Sequence, residues 1–328
     1  MNVLITSPGR RVELVRYFKE TLNRNKRKLF TLDMSSWAPA LYFSDKWFLI
    51  KKDFNNINQY IDDIIEICNN NDITTVLTLI DPELQLFREF EERFNENGID
   101  LFMPEKEFNF ITYDKLKFYD RYRSELPLLD TYASKEELID KKKNLTFPIL
   151  AKDRFGSGSS GVTIIKSLKE LEAFEYSGNL IFQTKLENFK EFSIHVYFDA
   201  VTNDIVDVFM SQAIVMRGGE ADKMISLWDE NIYKIIKRLS NIQGIKGTIN
   251  VDIFTVNDEV YINEINPRFG GGYNHAHYCG RNFVEYTVNN IMGFKNSKVT
   301  KFPAYETDIE MMKYYGFFFK KKTESINI

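Results

Sequence analysis

The chain has 328 residues, 44% apolar and 27% charged, which is ordinary globular composition and enough for two or three subdomains that each bury a core. A net charge of −4 excludes the basic footprint of a nucleic-acid binder, so the lysine runs at 141–143 and 320–322 read as solvated surface. Cys68 and Cys279 stand alone, the first residues carry no basic leader, and no apolar run approaches the ~20 residues that cross a bilayer. The expectation is a soluble cytoplasmic protein with neither membrane nor nucleic acid as a partner.

In chain order, Val3 to Thr6 reads as a strand, followed by a helix carrying Val12, Val15, Phe18 and Leu22 on one stripe. A second strand ends at Asp33, a helix runs from Ile57 to Cys68, a third strand covers 75–79, and a helix spans 83–94. This alternation predicts a parallel sheet with helices on both faces. Ligands of such sheets sit beyond the carboxyl ends of the strands. Loops 7–11, 33–36 and 80–83 should therefore share one polar edge, with Arg10 and Arg11 available to hold a carboxylate by bidentate pairing. Asp81 and Glu83 are substrate candidates there. Asp81 is equally suited to cap the helix whose first turn carries Pro82, and the two roles are compatible.

The pattern changes around 104–120. Strands are expected at 147–153, 161–166, 180–184, 192–198 and 205–216, then a helix at about 228–241, then strands at 247–256 and 260–265. Lys152 ends the first of these strands, and Gly156, Ser157, Gly158, Ser159, Ser160 and Gly161 follow it. Glycines let backbone amides approach phosphate oxygens, and serines add hydroxyl donors. The spelling matches Gly-x-Gly-x-x-Gly, but β-branched residues follow where a dinucleotide fold needs a helix, and no Walker lysine is present. The segment reads as a flap between two strands.

The stronger signal is a hairpin turning near Asn257 and Asp258. Centred on Asp258, it places Asp252 opposite Glu264, with Asn266 and Arg268 on the same face. Two acids and an amide converging from two strands form a hard oxygen site, for which Mg2+ bridging nucleotide phosphates is the natural occupant and Mn2+ an alternative.

The string Glu264-Ile265-Asn266-Pro267-Arg268-Phe269-Gly270-Gly271, joined to a lysine and a glycine flap, resembles the metal-binding strand of the ATP-grasp superfamily, above all the proteins similar to the large subunit of carbamoyl-phosphate synthase. The resemblance implies an α/β half-Rossmann (pre-ATP-grasp) domain at 1–106. An α+β ATP-grasp domain would follow at 107–328, with a flap subdomain at about 122–183. It implies that Lys115 and Lys152 reach ATP, that Gln183, Lys185 and Leu186 form the hinge reading adenine, and that Glu191 binds ribose. Asp252, Glu264 and Asn266 would hold Mg2+, and Arg268 would lie beside the transferred phosphate. Arg217 would sit in a loop facing the phosphates or the acceptor. Gln183 departs from the glutamate of many relatives, although an amide can still accept from the adenine amino group.

The activity so implied is an ATP-dependent carboxylate–amine ligase forming an amide through an acyl phosphate, with small-molecule substrates and a homodimer admitted. The alternatives are a carbamoyl-phosphate-type or small-molecule kinase reaction and a non-catalytic ATP sensor. His275 and His277 lack a third metal ligand, and His195 reads as structural.

Overall fold

Five short strands at the start of the chain pair in the order β3-β2-β1-β4-β5, with every recorded pairing parallel. They are β1 (Asn2–Thr6), β2 (Leu29–Asp33), β3 (Lys46–Leu49), β4 (Ile73–Thr78) and β5 (Asp100–Leu101). Helices α1 (Val12–Arg24), α2 (Ile57–Asn70), α3 (Asp81–Glu89) and α4 (Glu91–Glu96) connect them. The computed structural model describes residues 1–53, 56–141, 145–156, 161–176 and 179–321. The chain order reverses between β1 and β4, so the crevice of this sheet opens at Ser7 and Ile80, as the loop pattern requires. The helix expected over 83–94 is two helices, broken at Phe90.

Helices α5 (Lys106–Tyr113) and α6 (Lys115–Tyr122) lead into a four-stranded lid with strand order β6-β9-β7-β8. Its strands are β6 (Thr131–Tyr132), β7 (Ile149–Asp153), β8 (Thr163–Ile165) and β9 (Leu180–Thr184), with α7 (Lys135–Lys141) and α8 (Leu168–Ala173) between them. Leu138, Ile149, Ala151, Ile165, Leu171 and Phe182 give the lid its own core. Strands β7 and β8 are antiparallel, so the glycine segment does join two strands.

A six-stranded sheet in the order β14-β13-β10-β11-β12-β15 completes the chain. It comprises β10 (Lys190–Phe198), β11 (Ile205–Arg217), β12 (Glu220–Leu227), β13 (Gly247–Val256), β14 (Glu259–Asn266) and β15 (Glu310–Met312), with α9 (Glu230–Arg238), α10 (Tyr273–Tyr278) and α11 (Phe283–Ile291). Alternation along its strands divides two faces. Ile194, Val196, Met210, Val251, Ile253 and Ile265 form a core with residues of α5, α6 and α9. Across the register, Ser193, Asp252 and Glu264 share the opposite face.

The N-terminal sheet and this larger one share a core. Val15, Phe18 and Leu22 of α1 pack with Phe269, Tyr273, Phe283 and Val288, and the Phe18 and Phe269 rings meet edge to face at 5.5 Å. Helix α1 thereby fixes the loop bearing Arg10 and Arg11 against the segment that follows β14. Among the described residues, no helix is long and apolar enough to cross a membrane.

Candidate active site

Asp252 lies directly opposite Glu264, and Asn250 opposite Asn266. The Asn266 amide nitrogen bridges the two acids, donating to Asp252 Oδ2 at 3.1 Å and Glu264 Oε1 at 3.4 Å. Asp252 Oδ1 accepts from Asn250 Nδ2 at 2.7 Å, and Asn250 Oδ1 accepts from Ser193 Oγ at 2.7 Å. Burial and then the Glu264 charge push the Asp252 carboxyl well above the usual carboxylate range. Glu191, on the same face of β10, is raised by the same two causes in the same order. Asp252 and Glu264, facing each other across two strands, mark a place suited to a cation. Asn250 escapes sequence reading, because an asparagine within a strand gives no spacing signal.

Two lysines face this acidic group. Lys152 on β7 approaches Asn263 Oδ1 at 3.4 Å, and burial draws its ammonium down to about 8 even though Glu264 pulls it upward. Lys115, at the start of α6, donates to the carbonyl of Gly156 at 2.5 Å. A clamp not foreseen from the sequence secures both: Arg154 pairs with both oxygens of Asp114, at 2.7 and 2.6 Å, while Asp114 caps α6 by accepting from the amides of Leu116 and Lys117. Gly161 has φ +73°, and a Cβ there would lie 2.5 Å from Asp153 Oδ2, so only glycine closes the flap base. Ser157, Gly158, Ser159 and Ser160 lie outside the described residues.

Arg268 meets the other half of the chain. It donates to Asp81 Oδ2 at 2.7 Å and to Asn266 Oδ1 at 2.9 Å. Asp81 makes no side-chain cap to α3, so its carboxylate is an ion-pair partner rather than a helix cap. Asp81 Oδ1, Gln85 Oε1 and Arg268 Nε are buried and lack a partner among the described residues. Asp81, Gln85, Tyr113, Lys115, Glu264 and Asn266 line one small cavity. The orphaned oxygens of Asp81 and Gln85, two residues lining this cavity, indicate a site shaped for a polar ligand. Arg11 donates to the Phe269 carbonyl at 2.5 Å, and burial followed by the Arg268 charge lowers its guanidinium to about 10.

Several expectations change. Glu83 is buried and accepts from Thr6, Ser7, Lys52, Tyr60 and Thr78 at 2.6 to 2.8 Å. Five donors saturate a carboxylate, so Glu83 ties β1 to β4 and leaves no atom for a substrate. Arg217 stands at the β11–β12 hairpin tip, paired across the strands with Glu220, 63% exposed and 3.7 Å from Asp222. Gln183 is buried between β6 and β7 and gives its amide nitrogen to Thr131 Oγ1 at 2.7 Å. Lys185 and Leu186, expected in the hinge, lie beyond β9 and outside any strand. His277 stacks on Tyr17 at 3.6 Å, whereas His275 Nε2 meets the Ile309 carbonyl at 3.0 Å, so the two imidazoles have separate surroundings. Arg10 is exposed and pairs with Glu220 at 3.2 Å.

Among the described residues, no group of three or more His, Cys, Asp or Glu could hold a metal. The acidic face is thus a two-carboxylate site, and a hard cation would complete its shell from other oxygens.

Residues 3–102 match the family model described as the PylC-like N-terminal domain, and residues 112–272 match the one described as the ATP-grasp domain. The chain is 26% identical over 186 residues to a D-alanine–D-alanine ligase of Campylobacter lari, covering 49% of this chain and 52% of that protein. It is 23% identical over 229 residues to the carbamoyl phosphate synthase large chain of Thermotoga petrophila, covering 63% and 20%. The chain therefore spans about half the length of the first relative and a fifth of the second. Among solved structures, an N5-carboxyaminoimidazole synthetase from Staphylococcus aureus superposes with a TM-score of 0.70 at 17% identity, over 89% of this chain and 77% of that one. A biotin carboxylase from Campylobacter jejuni superposes with a TM-score of 0.75 at 16% identity, over 94% and 74%. These likenesses show the fold.

Proposed function

We propose, from the premise that this chain belongs to the ATP-grasp superfamily, that it is an ATP-dependent carboxylate–amine ligase working through an acyl phosphate. The observation that carries this reading is the facing pair Asp252 and Glu264, with Lys152 on one side and Arg268 on the other. The relatives named ligase and synthase support the reaction class.

ATP would lie between the lid and the acidic face, its adenine end toward Lys185 and Leu186 and its ribose toward Glu191. Asp252 and Glu264 would hold Mg2+, with Asn266 as a third ligand through Oδ1, the atom that Arg268 now engages. Bound there, Mg2+ would neutralise the outer phosphates and polarise the γ-phosphoryl group. Lys152 and Lys115 add positive charge on the lid side, and Arg268 adds it on the substrate side. A carboxylate held by Arg11 would attack the γ-phosphorus, forming an O–P bond as ADP leaves. An amine would then attack the acyl carbon, and the C–O bond to phosphate would break as the C–N bond forms. The protein's contribution is charge placement and alignment, which dominate phosphoryl transfer.

The test is ADP release from ATP with Mg2+, against carboxylates alone and paired with amines, with Glu264→Ala as control. Turnover that needs a carboxylate, rises with an amine and disappears in the variant supports the ligase. Turnover with hydroxyl compounds or bicarbonate alone replaces it with a kinase or carbamoyl-phosphate-type reaction. Tight ATP binding without turnover by any member leaves a nucleotide sensor.

A further inference from the structure

We propose that the amine substrate is an α-amino acid bound as a zwitterion at the seam between the two halves of the chain, its ammonium group on Glu220 and its carboxylate on Arg10 and Lys313. This rests on the ligase reading and names the substrate class at its amine end.

Three segments remote in sequence meet there: the loop after β1, the start of β12 and the segment leaving β15. Arg10 reaches Glu220 Oε1 at 3.2 Å and Lys313 reaches Oε2 at 3.1 Å, so each carboxylate oxygen faces one cation. The backbone holds the arrangement. Gly218 and Gly219, with φ +58° and +76°, turn the hairpin back into β12, and the Lys313 amide donates to the Asp222 carbonyl at 2.9 Å. The Glu220 carboxyl carbon lies 3.5 Å from where a Cβ on Gly271 would stand. The carboxylate therefore rests against the glycine segment that continues from Arg268, beside the proposed phosphate site.

Exposure separates this trio from a structural clasp. The side chains of Arg10, Glu220 and Lys313 are 74%, 40% and 30% exposed, accessible to a small molecule. Ion pairs this open contribute little to folding. The shared core around Phe18, Phe269 and Tyr273 already joins the two halves. One acid flanked by two bases is complementary to a zwitterion, which exchanges partners with the trio without changing the net charge of the site. A simple amine would leave the two bases facing each other, and a simple acid would bring a second negative charge beside Glu220.

The experiment measures ADP release by the full chain with MgATP and a carboxylate panel. The amine is each common L-amino acid and its D-enantiomer, then the decarboxylated amine and the N-acetyl derivative of any that respond. Calorimetric titration of the same amino acids into the nucleotide-free protein runs in parallel. An amino acid should respond at least ten-fold better than either derivative. Glu220→Gln should raise its KM at least ten-fold with the KM for ATP unchanged. Lys313→Met should raise that KM and remove the preference over the decarboxylated amine, and Lys313→Arg should restore it. Melting temperatures should move by only a few degrees. The inference falls if ATP is turned over but no amino acid responds, or if the variants leave amino-acid KM unchanged while lowering stability, which would make the trio a seam clasp. If ATP itself is neither bound nor cleaved, the ligase reading fails. The titration then decides the inference separately: heat of binding lost in Glu220→Gln upholds it, and no binding by any amino acid overturns it.

Discussion

Asp252 and Glu264 face each other across β13 and β14 because Asn263 is an extra residue in β14. The turn at Asn257 and Asp258, both at positive φ, pairs Val256 with Glu259 and Ile253 with Ile262. A regular ladder would then set Asp252 against Asn263 and turn Glu264 toward the core. The register instead shifts between Asp252 and Ile253, so that Ile262 and Ile265 both remain in the core and Glu264 joins Asp252. Bulges of this kind re-aim side chains next to sites.

The buried acid pair disfavours the metal-free state. Asp252→Asn should raise the melting temperature of the metal-free protein at neutral pH by a few degrees, because it removes a carboxyl that burial and Glu264 hold in an unfavourable ionisation equilibrium. The same substitution should weaken Mg2+-dependent ADP release about 100-fold. A differential melt with and without Mg2+ reads both effects.

Lys152 behaves oppositely to an ordinary surface lysine. In the unfolded chain it keeps its proton to ~10.4, whereas in the folded protein burial releases it near 8. Unfolding therefore takes up a proton between these values, and stability of the nucleotide-free protein should rise as pH climbs from about 8. ATP favours the charged form, so its affinity should fall over the same window. Lys152→Met should melt higher without nucleotide and bind ATP at least ten-fold more weakly by calorimetry.

Glu83 should act on stability first. Burial alone would raise its carboxyl, but Lys52, Thr6 and Thr78 hold it below the usual range. Its contribution is present at neutral pH and lost as pH falls through that depressed value. Glu83→Gln leaves the Lys52 ammonium without its charge partner and should cost about 3 kcal/mol in denaturant unfolding, with KM for ATP little changed in the protein that remains folded.

Gly270 carries the close approach behind the acidic face. A Cβ there would lie 2.3 Å from Asn250 Oδ1 and 2.7 Å from His195 Cε1, both on packed side chains. Gly270→Ala should cost about 1–3 kcal/mol. It should also displace Asn250 from Asp252, lowering Mg2+ affinity as well as the unfolding midpoint.

Strand β12 illustrates what a single sequence conceals. Its opening residues Glu220, Ala221, Asp222 and Lys223 are mostly charged, and their reason for being a strand is pairing with β11, joined from Lys223 onward by β15. Period alone cannot reveal a strand whose polar start is stabilised by its neighbours. The same limit hid Lys313, which enters the site only because β15 docks beside β12.

The sequence by itself determined the alternating N-terminal sheet, the flap between two strands, and the two acids and amide on one hairpin. Each rests on local chemistry: side-chain period, glycine conformation and a turn near Asn257 and Asp258. That turn is centred between the two residues rather than on Asp258, and the extra residue Asn263 restores the facing of Asp252 and Glu264. Only the tertiary structure decided that Glu83 is a buried strut, that Arg268 is held by Asp81, and that Glu220 meets Arg10 and Lys313. Those partners stand 187, 210 and 93 residues apart. Packing of α1 on the Phe269 segment brings the first two long-range pairs together, and β15 docking on β12 brings the third, so no local rule contains them.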